Sequence, residues 1–123
     1  MSREKGNFAE DRACSYLVEN GYAIVERNFY SRFGEIDIIA LKEKVIHFVE
    51  VKSGEDYESA IQNITPTKLS RIIKTAQTYI KKQNCDNDFT FDAVIVTPSD
   101  VIFVEDITLK DLCITQRVTL FKA

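Results

Sequence analysis

Gly34–Lys52 reads GEIDIIALKEKVIHFVEVK, and the way its charges are seated decides the fold. Two runs rich in Ile, Val and Phe, Glu35–Leu41 and Val45–Lys52, are separated only by the polar KEK of 42–44, which predicts two strands. So short a connection joins only antiparallel neighbours. Side chains alternate along a strand, so Glu35, Asp37 and Ile39 are expected on one face, and Ile46, Phe48, Glu50 and Lys52 on one face of the partner. A register that sets Asp37 against or diagonal to Glu50 makes their carboxylates converge.

Convergence is costly. Two unit charges about 4 Å apart repel by about 4 kcal/mol at an effective dielectric near 20. Such a pair takes up a proton or admits a cation. Lys52 offsets part of the repulsion. A hard divalent cation, Mg²⁺ or Mn²⁺, does so more fully, with the backbone carbonyl of Val51 as a further oxygen ligand. A cation there makes bound water more acidic and stabilises charge on a phosphoryl oxygen, while Lys52 orients the water or holds the phosphate. That composition fits phosphodiester hydrolysis better than acyl transfer, which wants a Ser or Cys nucleophile and a histidine base. A second arrangement is equally compatible with the spacing: a solvent-facing sheet on which these charges form weak cross-strand pairs.

Working outward, the pattern predicts a helix over Asn7–Glu19, with Ala9, Ala13, Tyr16 and Leu17 on its apolar arc and Gly21 as its stop. Glu10 stands seven positions before Leu17 and so projects at the edge of the buried stripe. A strand is expected over Tyr22–Tyr30, followed by a turn at SRFG. The segment Ser53–Thr67 reads as a loop with a short helical piece, and Lys68–Gln83 as the cleanest helix, its apolar arc formed by Leu69, Ile72, Ile73, Ala76, Tyr79 and Ile80. Strands follow at Phe89–Thr97 and Val101–Glu105 around a tight turn at PSD. Phe89, Phe91, Val94, Val96, Val49 and Val51 are core candidates. His47, alternating opposite Glu50, reads as structural, and Asp92 as paired with a helix base or placed near a sheet end. The order of elements argues for an α/β domain, a mixed central sheet flanked by helices, spanning 1–123 with a tail of undetermined form from about 107.

The net charge of −3 does not advertise a nucleic-acid-binding protein, but its distribution is uneven. Ser59–Cys85 contains no Asp or Glu and holds Lys68, Arg71, Lys74, Lys81 and Lys82. One basic face on an acidic protein is the consequence. The three cysteines, Cys14, Cys85 and Cys113, are widely spaced and match no metal-knuckle pattern. No apolar run is long enough to span a membrane, and MSREKGNFAEDRA has no signal-peptide core, so a cytoplasmic location without membrane partners is expected.

GEID at Gly34–Asp37 followed by FVEVK at Phe48–Lys52 resembles the core of the PD-(D/E)xK nuclease superfamily. More narrowly, the chain is similar to the YraN-like family, also called UPF0102. The resemblance runs from about Lys5 to Val96 through GNFAEDRA with Glu10, GYAIVERN at Gly21–Asn28, KLSRIIKTAQTYI at Lys68–Ile80 and FDAVIV at Phe91–Val96. It departs in the acidic VKSGEDYES, where relatives usually carry a basic residue, and in the C-terminal LCITQRVTLFKA.

The resemblance implies a restriction-endonuclease-like core, related in plan to Holliday junction resolvases, with Mg²⁺ or Mn²⁺ as cofactor. It implies Asp37 and Glu50 as metal ligands, Lys52 as the water-orienting or charge-stabilising group, and Glu10 as an outer or second ligand from the helix. Gln62 and Lys68 are expected to contact substrate or support Lys52, and Lys68, Arg71 and Lys74 to form a phosphate track that positions DNA without reading its sequence. Tyr30 and Tyr57 are candidates for stacking on bases. The expected activity is metal-dependent hydrolysis of DNA, structured or branched, by a chain that pairs as a homodimer where two cuts are made. The alternatives are a nucleic-acid-binding module that retains the site without the activity, and a protein-interaction domain.

Overall fold

The computed structural model describes residues 2–108, with side chains from Phe8 onward. The first helix, α1 (Ser2–Glu19), starts earlier than the apolar pattern alone required. It turns Ala9, Ala13 and Leu17 into the core and stops where expected. Gly21 takes φ +91°, a conformation that favours glycine, and the next N–H, of Tyr22, closes back on the Leu17 carbonyl at 2.9 Å.

Three strands follow: β1 (Ala23–Ser31), β2 (Gly34–Lys42) and β3 (Val45–Ser53). The β2–β3 connection is a two-residue turn in which Glu43 and Lys44 both have positive φ, 52° and 70°, as a turn matched to strand twist requires. Asp56 caps the short α2 (Tyr57–Ile61), its carboxylate accepting from the Ser59 N–H at 2.8 Å. The long helix α3 (Pro66–Gln83) begins two residues before the expected Lys68. Thr65 caps the Lys68 N–H, and Pro66 fits the first turn because its missing donor is not needed there. Strands β4 (Asp88–Val96) and β5 (Val101–Val104) complete the set, with the Thr97 N–H bonded to the Asp100 carbonyl across the PSD turn.

The sheet order is β1-β2-β3-β4-β5, antiparallel except for β3 and β4, which run parallel because the helical crossover returns the chain to the same end. This is the α/β, restriction-endonuclease-like plan: a mixed five-stranded sheet with helices on both faces. One core layer joins α1 to Ile38, Ala40, Val49, Val94 and Val96. The other joins α3 to Phe29, Ile39, Ile46, Phe48, Phe91 and Ile95. Burying a side chain of Leu17 or Phe48 size contributes roughly 1.5–3 kcal/mol. Phe89, expected in the core, is 47% exposed; β5 pairs with Ala93–Val96, and among the described residues no strand pairs with the start of β4 on that side.

Asp92 is 1% exposed and pairs not with a helix base but with His47, Oδ2 to Nδ1 at 2.7 Å. Its other oxygen accepts from the Asp106 N–H at 2.9 Å, so the carboxylate ties β3 to the segment after β5. His47 is structural, as expected, with the Tyr22 ring edge-on at 4.9 Å. Edge strand β1 carries a register shift between Ile24 and Glu26, and Asn28 sits in the left-handed region at φ 54°. Of the expected tail, Ile107 is buried and donates its N–H to the Phe91 carbonyl, and residues from 109 lie outside the described part of the chain.

Candidate functional site

The β2–β3 ladder runs from Lys42 opposite Val45 to Ile38 opposite Val49, then stops. The next residues along each strand are Asp37 and Glu50. Beyond the last pair, Asp37 uses its carboxylate where β2 would have offered a main-chain acceptor, and Oδ2 takes the Val51 N–H at 2.8 Å. A residue's N–H and C=O leave a strand on the same edge, so the Val51 carbonyl also faces this gap. Strict alternation fails here. Ile36 and Ile39 both pack in the α3-side core although they are three residues apart, so β2 changes its facing within the segment that carries Asp37.

The register therefore brings the two carboxylates together. Glu50 is 9% exposed. The proton affinity of Asp37 is pushed up to about 8 by burial first, then by the charge of Glu50, with a smaller push from Glu10 and with the Val51 N–H working the other way. Lys52 Nζ lies 3.3 Å from Glu50 Oε2. Burial works against the Lys52 charge, but Glu50, the neighbouring Lys68 amine and Asp37 outweigh it, and the ammonium is held more tightly than usual. Lys68 is shifted the other way, down, by its contact with the Lys52 amine and the repulsion between the two charges. Glu50 is buried, Asp37 and Lys52 are half-buried, and the groups perturb one another, which favours a clustered site over solvated cross-strand pairs.

Helix α1 delivers Glu10 to the same cleft. The Asn28 amide donates to Glu35 Oε2 at 2.8 Å and to Glu10 Oε1 at 3.2 Å, bridging a strand carboxylate to the helix carboxylate. Arg27 flanks them, 3.5 Å from Glu10 and 2.9 Å from Asp11. The left-handed backbone at Asn28 points the amide into this position; Asn tolerates that conformation better than most residues.

The cleft is lined by Ala9 and Glu10 from α1, Gly34, Glu35 and Asp37 from β2, Glu50–Ser53 from β3, and Lys68, Arg71 and Ile72 from α3. The expected residues Asp37, Glu50, Val51, Lys52, Glu10, Lys68 and Arg71 are thus gathered at one end of the sheet. Gln62 is not among the lining residues; it closes α2 with its side chain exposed. Lys74 lies one turn beyond Arg71 on the exposed face of α3, with its amine over the Phe33 ring. Sequence reasoning placed Glu35 on the face of Asp37 without a role in the site, and gave Asn28 no role. The signal for Asn28 was its place at the end of GYAIVERN, a residue type suited to positive φ.

Whether the residues present suit a divalent cation is decided by the donors. Asp37, Glu50 and the Val51 carbonyl form an all-oxygen set around a like-charge pair that is largely withdrawn from solvent, compensated on one side only by Lys52. That set suits Mg²⁺ or Mn²⁺ with the remaining positions left to water. Among the described residues, no group of three or more Asp, Glu, His or Cys side chains is placed to hold a metal ion. Two carboxylates and a main-chain oxygen are thus the donors that could hold a cation there, with Glu10, held by Asn28 and Arg27, lining the same cleft. Also among the described residues, no helix is long and apolar enough to cross a membrane.

The profile of the family described as "Uncharacterised protein family UPF0102" matches residues 9–96. A UPF0102 protein of Sulfurimonas denitrificans is 63% identical over 109 residues, which cover 89% of this chain and all of that relative. One from Wolinella succinogenes is 55% identical over the same shares of both chains. One from Helicobacter pylori is 51% identical over 106 residues, 86% of this chain and 92% of the relative. The matched span contains each residue of the cleft, from Ala9 to Ile72, and on these grounds the chain belongs to the UPF0102 family.

Proposed function

We propose that this protein is a divalent-metal-dependent nuclease that hydrolyses phosphodiester bonds in DNA, with structured or branched DNA as its substrate class. The observation that carries the reading is the pairing of half-buried Asp37 with buried Glu50, with the Lys52 ammonium 3.3 Å from Glu50. Asp37, Glu50 and the Val51 carbonyl would hold Mg²⁺ or Mn²⁺, which when bound supplies Lewis acidity and charge neutralisation at a phosphoryl oxygen. Lys52 acts as a cation, not as a base, because Glu50 keeps its proton in place. It donates hydrogen bonds to the phosphate or to the attacking water. Lys68 gives up its proton more readily than a free lysine and stands beside Lys52, where it supports the same charge. Glu10 and Glu35, tied by Asn28, fix the outer wall of the cleft.

The test is cleavage of a fluorescently labelled four-way DNA junction and of the matching linear duplex, in Mn²⁺ and in Mg²⁺. The intact protein is expected to cut, and Asp37→Asn and Glu50→Gln to lose cutting while keeping their circular dichroism. Cutting that survives in Asp37→Asn rejects the assignment. The two-carboxylate donor set, together with exposed Glu55, Asp56 and Glu58 nearby in sequence, supports a second reading: a DNA-binding module without hydrolysis. It is distinguished by salt-sensitive DNA binding that persists in EDTA, with no cleavage in either metal.

A further inference from the structure

The SRFG turn between β1 and β2 is more ordered than a connection needs. Ser31 Oγ accepts the Phe33 N–H at 3.0 Å and is 2.9 Å from the hydroxyl of Thr75, a fully buried residue on α3. Gly34 lets the turn lie against α3: a side chain there would meet Arg71 Cβ at 3.4 Å, and its φ of +156° is rarely adopted by other residues. The turn thus fixes Phe33 at the lip of the cleft. Its ring carries two cations, the Arg32 guanidinium 4.9 Å from the centroid and the Lys74 ammonium 5.7 Å from it. Arg32, Lys74 and Arg71 are exposed, and none makes an ion pair within the described residues.

A ring face orders a cation without neutralising it. Phe33 therefore holds two charges in place and leaves both available to an anion. The cleft beside them contains carboxylates, which repel a polyanion on their own. From these facts, and resting on the nuclease reading above, we infer that Arg32, Phe33 and Lys74 form a phosphate clamp that seats the DNA strand along α3 and next to the cleft. Arg32 supplies the forked donor pair suited to a phosphate, and Lys74 a point charge. Arg71, one turn before Lys74 on α3 and itself part of the cleft lining, continues the track inward.

The test is fluorescence anisotropy of a labelled four-way DNA junction in EDTA, titrated from 50 to 200 mM salt, with Mn²⁺ calorimetry in parallel. Arg32→Gln with Lys74→Gln should weaken binding on the order of tenfold or more at 0.1 M salt and reduce the salt slope by about 2, one for each phosphate that these two cations neutralise. Phe33→Leu keeps both charges and should weaken binding by about 2–5-fold with the slope unchanged, because only the ordering by the ring is removed. Mn²⁺ binding should be the same in all three proteins. An intact protein that binds DNA, with a double variant of equal affinity and slope, overturns the clamp and leaves the nuclease reading standing. An intact protein that binds no DNA at 50 mM salt, in EDTA or with Mn²⁺ added, overturns both. The double variant alters only exposed ends, so its result decides the matter even if Phe33→Leu fails to fold.

Discussion

Raising the pH should destabilise the metal-free protein through Asp37 in particular. Its carboxyl is shifted from 3.8 to about 8 in the folded state. The folded protein therefore holds this proton more tightly than the unfolded chain. The stability that results is fully present below about pH 3.8 and is lost as pH rises through about 8. Within that window the slope is about 1.4 kcal/mol per pH unit, so moving from pH 5.5 to pH 8 removes on the order of 3 kcal/mol. Asp37→Asn has no proton to lose and still offers an oxygen to the Val51 N–H. The measurement is urea denaturation followed by circular dichroism, in EDTA, at pH 5.5 and 8 for both proteins. The intact protein should lose about 3 kcal/mol more than the variant over this interval, and the variant should be the more stable of the two at pH 8. Excess Mn²⁺ should restore the intact protein at pH 8, since a ligand of the folded state stabilises it by mass action, and should leave the variant unmoved. Parallel pH profiles in the two proteins would refute the buried-pair argument.

Three further outcomes are expected. Gly34→Ala should cost about 1–3 kcal/mol in urea denaturation, because φ +156° strains any side chain there and Arg71 Cβ stands 3.4 Å away. Asp92→Ala should cost about 1–3 kcal/mol, since it strips the half-buried Asp106 N–H of its acceptor and His47 of its partner; an unchanged midpoint would show that water takes the carboxylate's place. Asn28→Gly keeps the left-handed backbone but deletes the amide between Glu10 and Glu35, so calorimetry should show a changed Mn²⁺ affinity with little change in stability, whereas Asn28→Ala should lose both.

The hairpin, both long helices and the α/β order were legible in the sequence because each rests on local periodicity. Asp37 and Glu50 were legible as charges in apolar strands, and their meeting followed from one turn of fixed length. The details that shape the cleft were not. Asn28 acts through a backbone conformation that no period reports. The change of facing between Ile36 and Ile39 breaks the alternation rule at the very residues where the rule was applied. Gln62 could not be placed relative to the cleft because a polar residue near a predicted loop has no pattern to say which way it faces. Phe89 was assigned to the core because strand pattern does not show how far the neighbouring strand extends. Asp92 could not be paired from sequence, since its partner His47 lies on a parallel strand reached only through the helical crossover.

Strand β1 forms one margin of the sheet, and its irregularities bear on how this protein resists aggregation. A straight outer strand is an open template for another chain. Here the register shift at Ile24–Glu26 and the left-handed Asn28 interrupt the row of main-chain groups that no other strand pairs among the described residues, and the charged Glu26 and Arg27 sit between them. Exposed Val25 and Tyr30 are thereby prevented from acting as parts of one continuous sticky edge. Self-association by strand addition is disfavoured on that side, so a second copy of the chain would have to pair through another surface. The distortion that aims an amide at the carboxylates also protects the margin of the sheet.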